Sequence, residues 1–397
     1  MKEFYLRLLA LLKKKFRFEY YWLKYLPYVN FKIDVVPESK SVLLICHEMT
    51  KTGAPVLLLH IAKHLAKNGW DVHVITKLSG PLIPEFSVFS RVYVVKHPNA
   101  FKSRLEFLAE QGVEHAIVNS VASGDWTPFI KQAGMEIVTL VHEMANVIDV
   151  LGLIPNAEII SRNSDFLVFP SNYVRESFES VTKIQCESRI ITQGLYLKPD
   201  VYPDKAFAKS RLRDKFKLRK NTTIIINVAT GNYRKGFDIF IEMAAKEQGK
   251  EFIWVGDYDA RLYNSATENY PAEKLSNLRL PGYLDSKEEL FELYAGSDVL
   301  ALTSREEPFG SIVLEAFSSG LPVAGFSGAG GFQDIVKTSE TGWLAAEFTP
   351  DSMLMAINSL VDDEDLYLEI SENARSVSER FDFSFYVKSI LELYERT

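Results

Sequence analysis

From Ser41 onward the chain alternates short apolar runs with amphipathic stretches, and this alternation limits the possible folds more than any other feature. In the first half the runs are SVLLICHE (41–48), DVHVITK (71–77), RVYVVKH (91–97), HAIVNSV (115–121), EIVTLVHE (136–143), FLVFPS (166–171) and RIITQG (189–194). Stretches of helical spacing such as Pro55–Lys67 and Phe101–Gln111 separate several of them. Strands that are apolar on both faces must be covered on both, which predicts parallel sheets flanked by helices. The pattern pauses at YLKPDVYPDKAFAKSRLRDKFKLRKN (196–221), a linker followed by a lead-in helix, with the junction near 196–206. It restarts as TTIIINVATG (222–231), EFIWVGDY (251–258), NLRLPGYL (277–284), DVLALTS (298–304) and LPVAGFS (321–327). A chain of 397 residues is long enough for two cores. The expected class is α/β, with two doubly wound Rossmann-like domains at 41–200 and 201–378. Residues 379–397 are read as a C-terminal helix that can return to the first domain. Ligands of such sheets bind beyond the carboxyl ends of the strands, so two facing domains would share a central cleft.

Residues 1–40 stand outside this pattern. MKEFYLRLLALLKKKFRFEYYWLKYLPY carries Lys13, Lys14, Lys15 and Arg17 among leucines and aromatics. Its apolar part, Leu6–Leu12, is broken by Arg7 and falls far short of the roughly 20 residues that cross a bilayer. No small-residue cleavage site follows it. Two readings of residues 1–28 stand: an interfacial helix resting on an anionic membrane surface, or a helix packed on the first domain with solvated lysines. The composition, 47% hydrophobic and 24% charged, is that of a soluble globular protein. A net charge of −7 argues against nucleic acid as the main partner. Two cysteines, Cys46 and Cys186, supply neither a disulfide framework nor a thiolate metal site, and a reducing compartment fits.

The densest chemistry lies in SREEPFGSIVLEAFSSGLP (304–322). VLALTS reads as a buried strand, REEPFG as the loop at its carboxyl end, and SIVLEAFSS as a helix stopped by Gly320 and Pro322. The N–H groups of Phe309, Gly310 and Ser311 then form a helix start suited to phosphate. Glu307 precedes it, and Glu315 follows Phe309 by a helical distance of about 9 Å. A diphosphate flanked by two carboxylates that accept from sugar hydroxyls is one reading. The other makes Glu315 an exposed helix residue and Glu307 a dipole partner, and spacing alone leaves both open. In VATGNYRKGFDIFIEMAA, Arg234 and Lys235 sit just before a helix, where Arg forks two oxygens and Lys delivers a point charge; a solvated basic turn is the alternative. After the first strand, Gly53 lets a ligand approach the backbone, and Pro55 is expected at the first helical position. His142 and His47 end strands, whereas His60, His64 and His73 fall inside elements and read as structural. Asp257 and Asp259 resemble a metal pair but read better as an ordinary turn.

Taken together, these motifs resemble the family 4 retaining glycosyltransferases of the GT-B fold over about residues 41–390. The carrying residues are Thr52-Gly53-Ala54-Pro55, His142-Glu143, FPSNYVRESF, Arg234-Lys235-Gly236, PGYLD and EEPFGSIVLEAFSSGLPV, with glycine turns at GAGGFQDIV and TGWL. The resemblance implies that Glu307 holds hydroxyls of the transferred sugar and Glu315 the ribose. Arg234 and Lys235 would neutralise the diphosphate, and Gly53 with the Phe309, Gly310 and Ser311 amides would complete its cradle. His142 would lie beside the reacting sugar, and the backbone near Tyr283 would meet the base. One departure is clear: where many members carry Gly-Arg after the first strand of the second domain, this chain reads ATGN (229–232), so that role passes to Arg234. The implied enzyme is retaining and metal-independent, needs no cofactor, and uses a nucleotide-diphosphate sugar, with a UDP-sugar favoured. Its acceptor would be a glycan or lipid-linked molecule in surface polysaccharide or glycoconjugate assembly. The implied location is the cytoplasm, with peripheral contact at the inner membrane face through residues 1–28 as an option. The rivals are a nucleotide-sugar epimerase or phosphorylase on the same fold, and a GT-B-shaped partner subunit without activity.

Overall fold

In the computed structural model, which describes residues 24–30 and 40–395, every apolar run named above becomes a strand of a parallel sheet. The chain divides into two compact units, one running to Thr192 and resuming at Ser384, the other spanning Gln193–Phe383.

The first unit holds β1 (Ser41–Glu48), β2 (Asp71–Leu78), β3 (Arg91–Val94), β4 (His115–Asn119), β5 (Glu136–Leu140), β6 (Phe166–Phe169) and β7 (Glu187–Ile190). Their order is β3-β2-β1-β4-β5-β6-β7, all parallel. The chain winds outward from β1 through β2 and β3, then returns to lay β4 on the other side of β1. The order therefore reverses between β1 and β4, where diverging loops leave a crevice at the strands' carboxyl ends. The second unit holds β8 (Ile224–Val228), β9 (Glu251–Val255), β10 (Leu278–Gly282), β11 (Val299–Leu302), β12 (Val323–Phe326) and β13 (Gly342–Ala345). Here the order is β10-β9-β8-β11-β12-β13, again parallel, and it reverses between β8 and β11.

The covering helices follow from apolar spacing. Helix Phe237–Lys246 buries Phe237, Ile239, Phe240, Ile241, Met243, Ala244 and Ala245, so it is covered around most of its circumference. Helix Ser311–Ser318 buries Val313, Leu314, Ala316 and Phe317. It ends in a Schellman turn: Gly320 N–H donates to Phe317 O at 2.8 Å, Leu321 N–H to Ala316 O at 2.9 Å, and Gly320 takes φ +66°. One helix start differs from expectation. Helix Gly53–Lys67 begins two residues early, so Pro55 is the third helical residue rather than the first. A first-turn N–H has no intrahelical acceptor, so proline is tolerated at either place. TGWL, expected as a turn, supplies most of edge strand β13; its glycine and half-buried pattern hide it from a periodicity search.

The described chain from Lys24 to Asn30 packs on the first unit: Tyr25 is buried, and Asn30 brackets Val92 of β3 through Asn30 N–H→Val92 O at 2.7 Å and Val92 N–H→Asn30 Oδ1 at 3.0 Å. The interfacial helix expected at 1–28 lies almost wholly outside the described residues. Among those described, no helix is long and apolar enough to cross a membrane. At the other end, Tyr394 joins the first unit, donating to Ala116 O at 2.9 Å and stacking on His115 with centroids 4.3 Å apart.

Candidate active site

The loops that leave β8 and β11 flank the switch point of the second unit, and they carry Arg234, Lys235 and Glu307. Their approach is close because Gly236 takes φ +68°; a Cβ there would lie 1.9 Å from Thr303 O, so no side chain fits. Across this contact Thr303 Oγ1 donates to Lys235 O at 3.0 Å, and Asn227 Nδ2 donates to Ala301 O at 2.7 Å. Arg234 Nη1 donates to Glu306 O at 2.8 Å. Lys235 Nζ forms an ion pair with Glu307 Oε2, and Ser304 Oγ donates to the same oxygen at 3.1 Å. Burial pushes the Glu307 carboxyl up, but the cations of Lys235 and Arg234 overcome it and hold the group below the usual carboxylate range. Burial pulls Lys235 down against that same pairing. The Glu307 backbone is also fixed, its N–H donating to Ala329 O at 2.8 Å. A Cβ on Gly330, at φ +155°, would sit 1.7 Å from Glu307 O. Gly330 of GAGGF thus lets that segment pack against Glu307.

Glu315 is neither exposed nor solvated. It is 6% accessible, and Oε2 accepts from the Tyr294 hydroxyl at 2.8 Å. Burial lifts its carboxyl to about 7, with the Tyr294 bond pulling the other way. Tyr196, half-buried, donates to Ser311 Oγ at 3.1 Å on the first residue of the same helix. Gly310, at φ +75°, is the N-cap and offers no side chain to the helix start. Among the described residues no acceptor meets the N–H groups of Phe309, Gly310 or Ser311, so the helix opens with unspent donors. Phe309 itself is buried, so its ring belongs to the core and only its backbone is at issue. Tyr283 follows β10 and is half exposed. Asp259 is occupied as a helix N-cap, accepting from Arg261 N–H at 2.8 Å, which makes the Asp257/Asp259 stretch a turn with a capping task.

In the first unit, the ends of β4 and β5 converge on His142. Asn119 Nδ2 donates to Ala54 O at 3.0 Å, which leaves Asn119 Oδ1 as an acceptor 2.9 Å from His142 Nε2. The proton of neutral His142 is therefore on Nε2. Burial keeps that ring neutral by lowering its pKa, and burial lowers His47 as well. The Glu143 carboxylate is held by the Ser120 hydroxyl and accepts from Val121 N–H at 3.1 Å and His142 N–H at 3.2 Å. Ser120 has φ +79°, a costly conformation for a residue with a side chain. Gly53 opens its helix, and a Cβ there would meet nothing within 4 Å. His73, by contrast, is wholly buried between Asp71 and Tyr93, as a structural histidine should be. Asn119, Ser120, Tyr294, Ser304 and Arg305 were not among the residues singled out from sequence. Asn119-Ser120 had a usable signal, two polar groups closing an apolar strand; Tyr294 had none.

Two family models match this chain. Glycosyl-transferase family 4 covers residues 38–147, and Glycosyl transferases group 1 covers residues 208–377. The chain belongs to the family 4 glycosyltransferases. Among relatives of this glycosyltransferase, the N-acetyl-alpha-D-glucosaminyl L-malate synthase of Bacillus anthracis is 24% identical over 83% of this chain and 90% of that one. The processive diacylglycerol alpha-glucosyltransferase of Acholeplasma laidlawii is 28% identical over 40% of this chain; the match spans about half of that relative, 47%. The Anabaena HepE structure in complex with UDP and glucose superimposes with TM-score 0.76 at 18% identity, covering 91% of this chain and 100% of that one. Sucrose-phosphate synthase from Thermosynechococcus elongatus does so with TM-score 0.72 at 20% identity, over 90% and 98%. Two parallel-sheet units matched across such structures make the fold GT-B.

Proposed function

We propose that this glycosyltransferase moves a sugar from a nucleotide-diphosphate donor, with a UDP-sugar favoured, onto a glycan or lipid-linked acceptor, with retention and without a metal ion. The observation that carries the reading is the cluster of Arg234, Lys235 and Glu307 on the two loops that flank the β8/β11 switch point. Two cations beside unspent helix N–H groups suit a diphosphate whose charge grows as the glycosidic bond breaks. Glu307 is anchored through Oε2, which leaves Oε1 for hydroxyls of the transferred sugar. Glu315 is assigned to the ribose, the backbone near Tyr283 to the base, and the Phe309, Gly310 and Ser311 amides to the diphosphate. In the first unit His142 is assigned to the reacting sugar and the Gly53 amide to the diphosphate. As the bond to the donor breaks, a departing phosphate oxygen takes the acceptor's proton on the same face, so retention needs no separate general base.

HepE has been captured with UDP and with UDP-glucose, which supports the class of donor. The names of the two relatives above, one a diacylglycerol alpha-glucosyltransferase and one an N-acetyl-alpha-D-glucosaminyl L-malate synthase, support sugar transfer to a lipid or other non-protein acceptor in glycoconjugate assembly. We take residues 201–378 as the donor domain and 41–200 as the acceptor-side domain, in a cytoplasmic protein that touches the membrane through the part of residues 1–28 that precedes Lys24. A partner subunit without activity would have no need of both buried glutamates and the Arg-Lys pair. Thermal-shift measurements against nucleotides and nucleotide sugars identify the donor, since binding raises stability by mass action. NMR of the product's anomeric proton then reads the stereochemistry. No shift with any nucleotide would sink the reading, and inversion would sink its mechanism.

A further inference from the structure

The turn that carries the Arg-Lys pair is closed by its own bonds, Lys235 N–H to Asn232 Oδ1 at 3.0 Å and Gly236 N–H to Tyr233 O at 3.0 Å, but the opposite loop fixes where it lies. Arg305 N–H donates to Arg234 O at 2.8 Å, and Arg305 Nη1 donates to Tyr233 O at 2.6 Å. Its guanidinium forks the Asp238 carboxylate, Nη1 to Oδ1 at 2.7 Å and Nη2 to Oδ2 at 2.6 Å, and lies 3.8 Å from the centre of the Tyr233 ring. One side chain thus grips the backbone before Arg234 and the first turn of the helix after Gly236. Residues 233–238 are clamped from both ends, with Arg234 and Lys235 between. Both hydrogen bonds to Asp238 join ionised groups and run in parallel, which fixes direction as well as distance. Arg305 is only a quarter exposed, so the pair is partly shielded from water.

We infer that Arg305 is a positioning residue for donor binding: it latches the β8 loop to the β11 loop and thereby sets where Arg234 and Lys235 meet the diphosphate. The inference rests on the proposed diphosphate role of that pair. Arg305 touches no donor atom in this scheme, and neither does Asp238. Loosening the latch should therefore weaken contacts to the diphosphate while leaving those to base and ribose in place. A lysine can take over only in part, because it has no planar fork to bridge a carboxylate and a carbonyl together.

The test compares UDP with uridine, which carries no phosphate, by calorimetry or ligand-observed NMR on the full-length protein. Arg305→Leu should lower UDP affinity about tenfold, the scale for lost hydrogen bonds to charged groups, with uridine affinity unchanged. Asp238→Asn attacks the latch from the helix that follows the β8 loop and should show the same selectivity. The double variant should be little worse than either single one, because both remove one interaction. Arg305→Lys should rescue only in part. Equal loss of UDP and uridine would mean a general structural role, and no loss of either would mean no role; both overturn the inference. Arg234→Ala and Lys235→Ala are the reference. If these leave UDP affinity intact, the diphosphate site itself falls. If they lower it while the Arg305 and Asp238 variants do not, only the latch falls.

Discussion

Tyr294 and Glu315 share a buried hydrogen bond in which the phenol donates to carboxylate Oε2 at 2.8 Å. The bond favours the ionised acid, while burial favours the protonated one and wins, placing the group at about 7. A ribose hydroxyl donates to a carboxylate, so nucleotide binding should call for the ionised form. UDP affinity should rise between about pH 6 and pH 8, with a proton released near the middle of that range. Glu315→Gln should abolish that part of the dependence. Tyr294→Phe, which removes the donor that favours ionisation, should move the midpoint upward. Stability runs the other way. The folded state binds this proton more tightly than the unfolded chain, so its contribution is full below the ordinary 4.5 and is lost as pH rises through about 7. Calorimetry in buffers of different ionisation heat measures the proton; the difference between wild type and E315Q removes the titration of UDP itself. A flat difference would detach Glu315 from the ribose.

The two glutamates should fail in different ways. The ribose is unchanged during transfer, so Glu315→Ala should cost about 1.5–3 kcal/mol of nucleotide binding, or roughly tenfold to a hundredfold. The transferred sugar gains positive charge as its bond breaks, and a carboxylate close to it acts most at that moment. Glu307→Gln should then lower kcat more than it lowers UDP affinity. Steady-state rates beside UDP calorimetry decide; equal, small effects would remove both residues from the site.

Gly330 supports Glu307 through shape alone. With a Cβ required 1.7 Å from Glu307 O, Gly330→Ala forces the two segments apart. A loss of at least about 2 kcal/mol in denaturant unfolding is expected, together with weakened activity. Wild-type stability with wild-type rates would show that the segment relaxes freely.

If Arg234, Lys235 and the helix start carry the diphosphate charge, turnover should survive a chelator. Activity abolished by EDTA and restored by magnesium or manganese would reverse the proposal and bring Asp257 back into consideration, since Asp259 is already a helix cap.

Deleting residues 1–23 while keeping Tyr25 and Asn30, which pack on the first unit, should release the protein from anionic vesicles and leave UDP binding intact. Vesicle binding that survives the deletion would favour the packed-helix reading of the N-terminus.

Much of this was legible in advance, and the reasons are physical. Apolar runs such as SVLLICHE and TTIIINVATG announced buried parallel strands because they are short, rich in β-branched residues and alternate with helical stretches, as a sheet covered on both faces requires. Glu307 and Glu315 were visible because carboxylates beside a glycine-started helix are conspicuous. Their burial was not, since spacing on a helix does not say which neighbours cover it. Tyr294 lies 21 residues from the carboxylate it meets. Arg305 and Asp238 are 67 residues apart, and each looks like an ordinary charge in its own segment. Such pairs are created by strand order, which places β8 beside β11, and no local pattern records that. Pro55 and TGWL were misplaced for a smaller reason: element ends are set by hydrogen bonds that composition does not specify.

The bond from Tyr394 to Ala116 spans 278 residues of sequence. A ribosome delivers those residues in order, and domains tend to fold as they emerge. All seven strands of the first sheet are therefore made before the second unit exists, yet the ring that stacks on His115 is synthesised only after that unit is complete. For most of its synthesis His115 at the amino end of β4 lacks the ring that stacks on it, and Ala116 O lacks the hydroxyl that donates to it in the folded protein. A chain that stalls or is cut within its second half keeps that surface open. The segment that carries Tyr394 thus closes a surface that the seven strands alone leave open, and clipping it would reopen that surface.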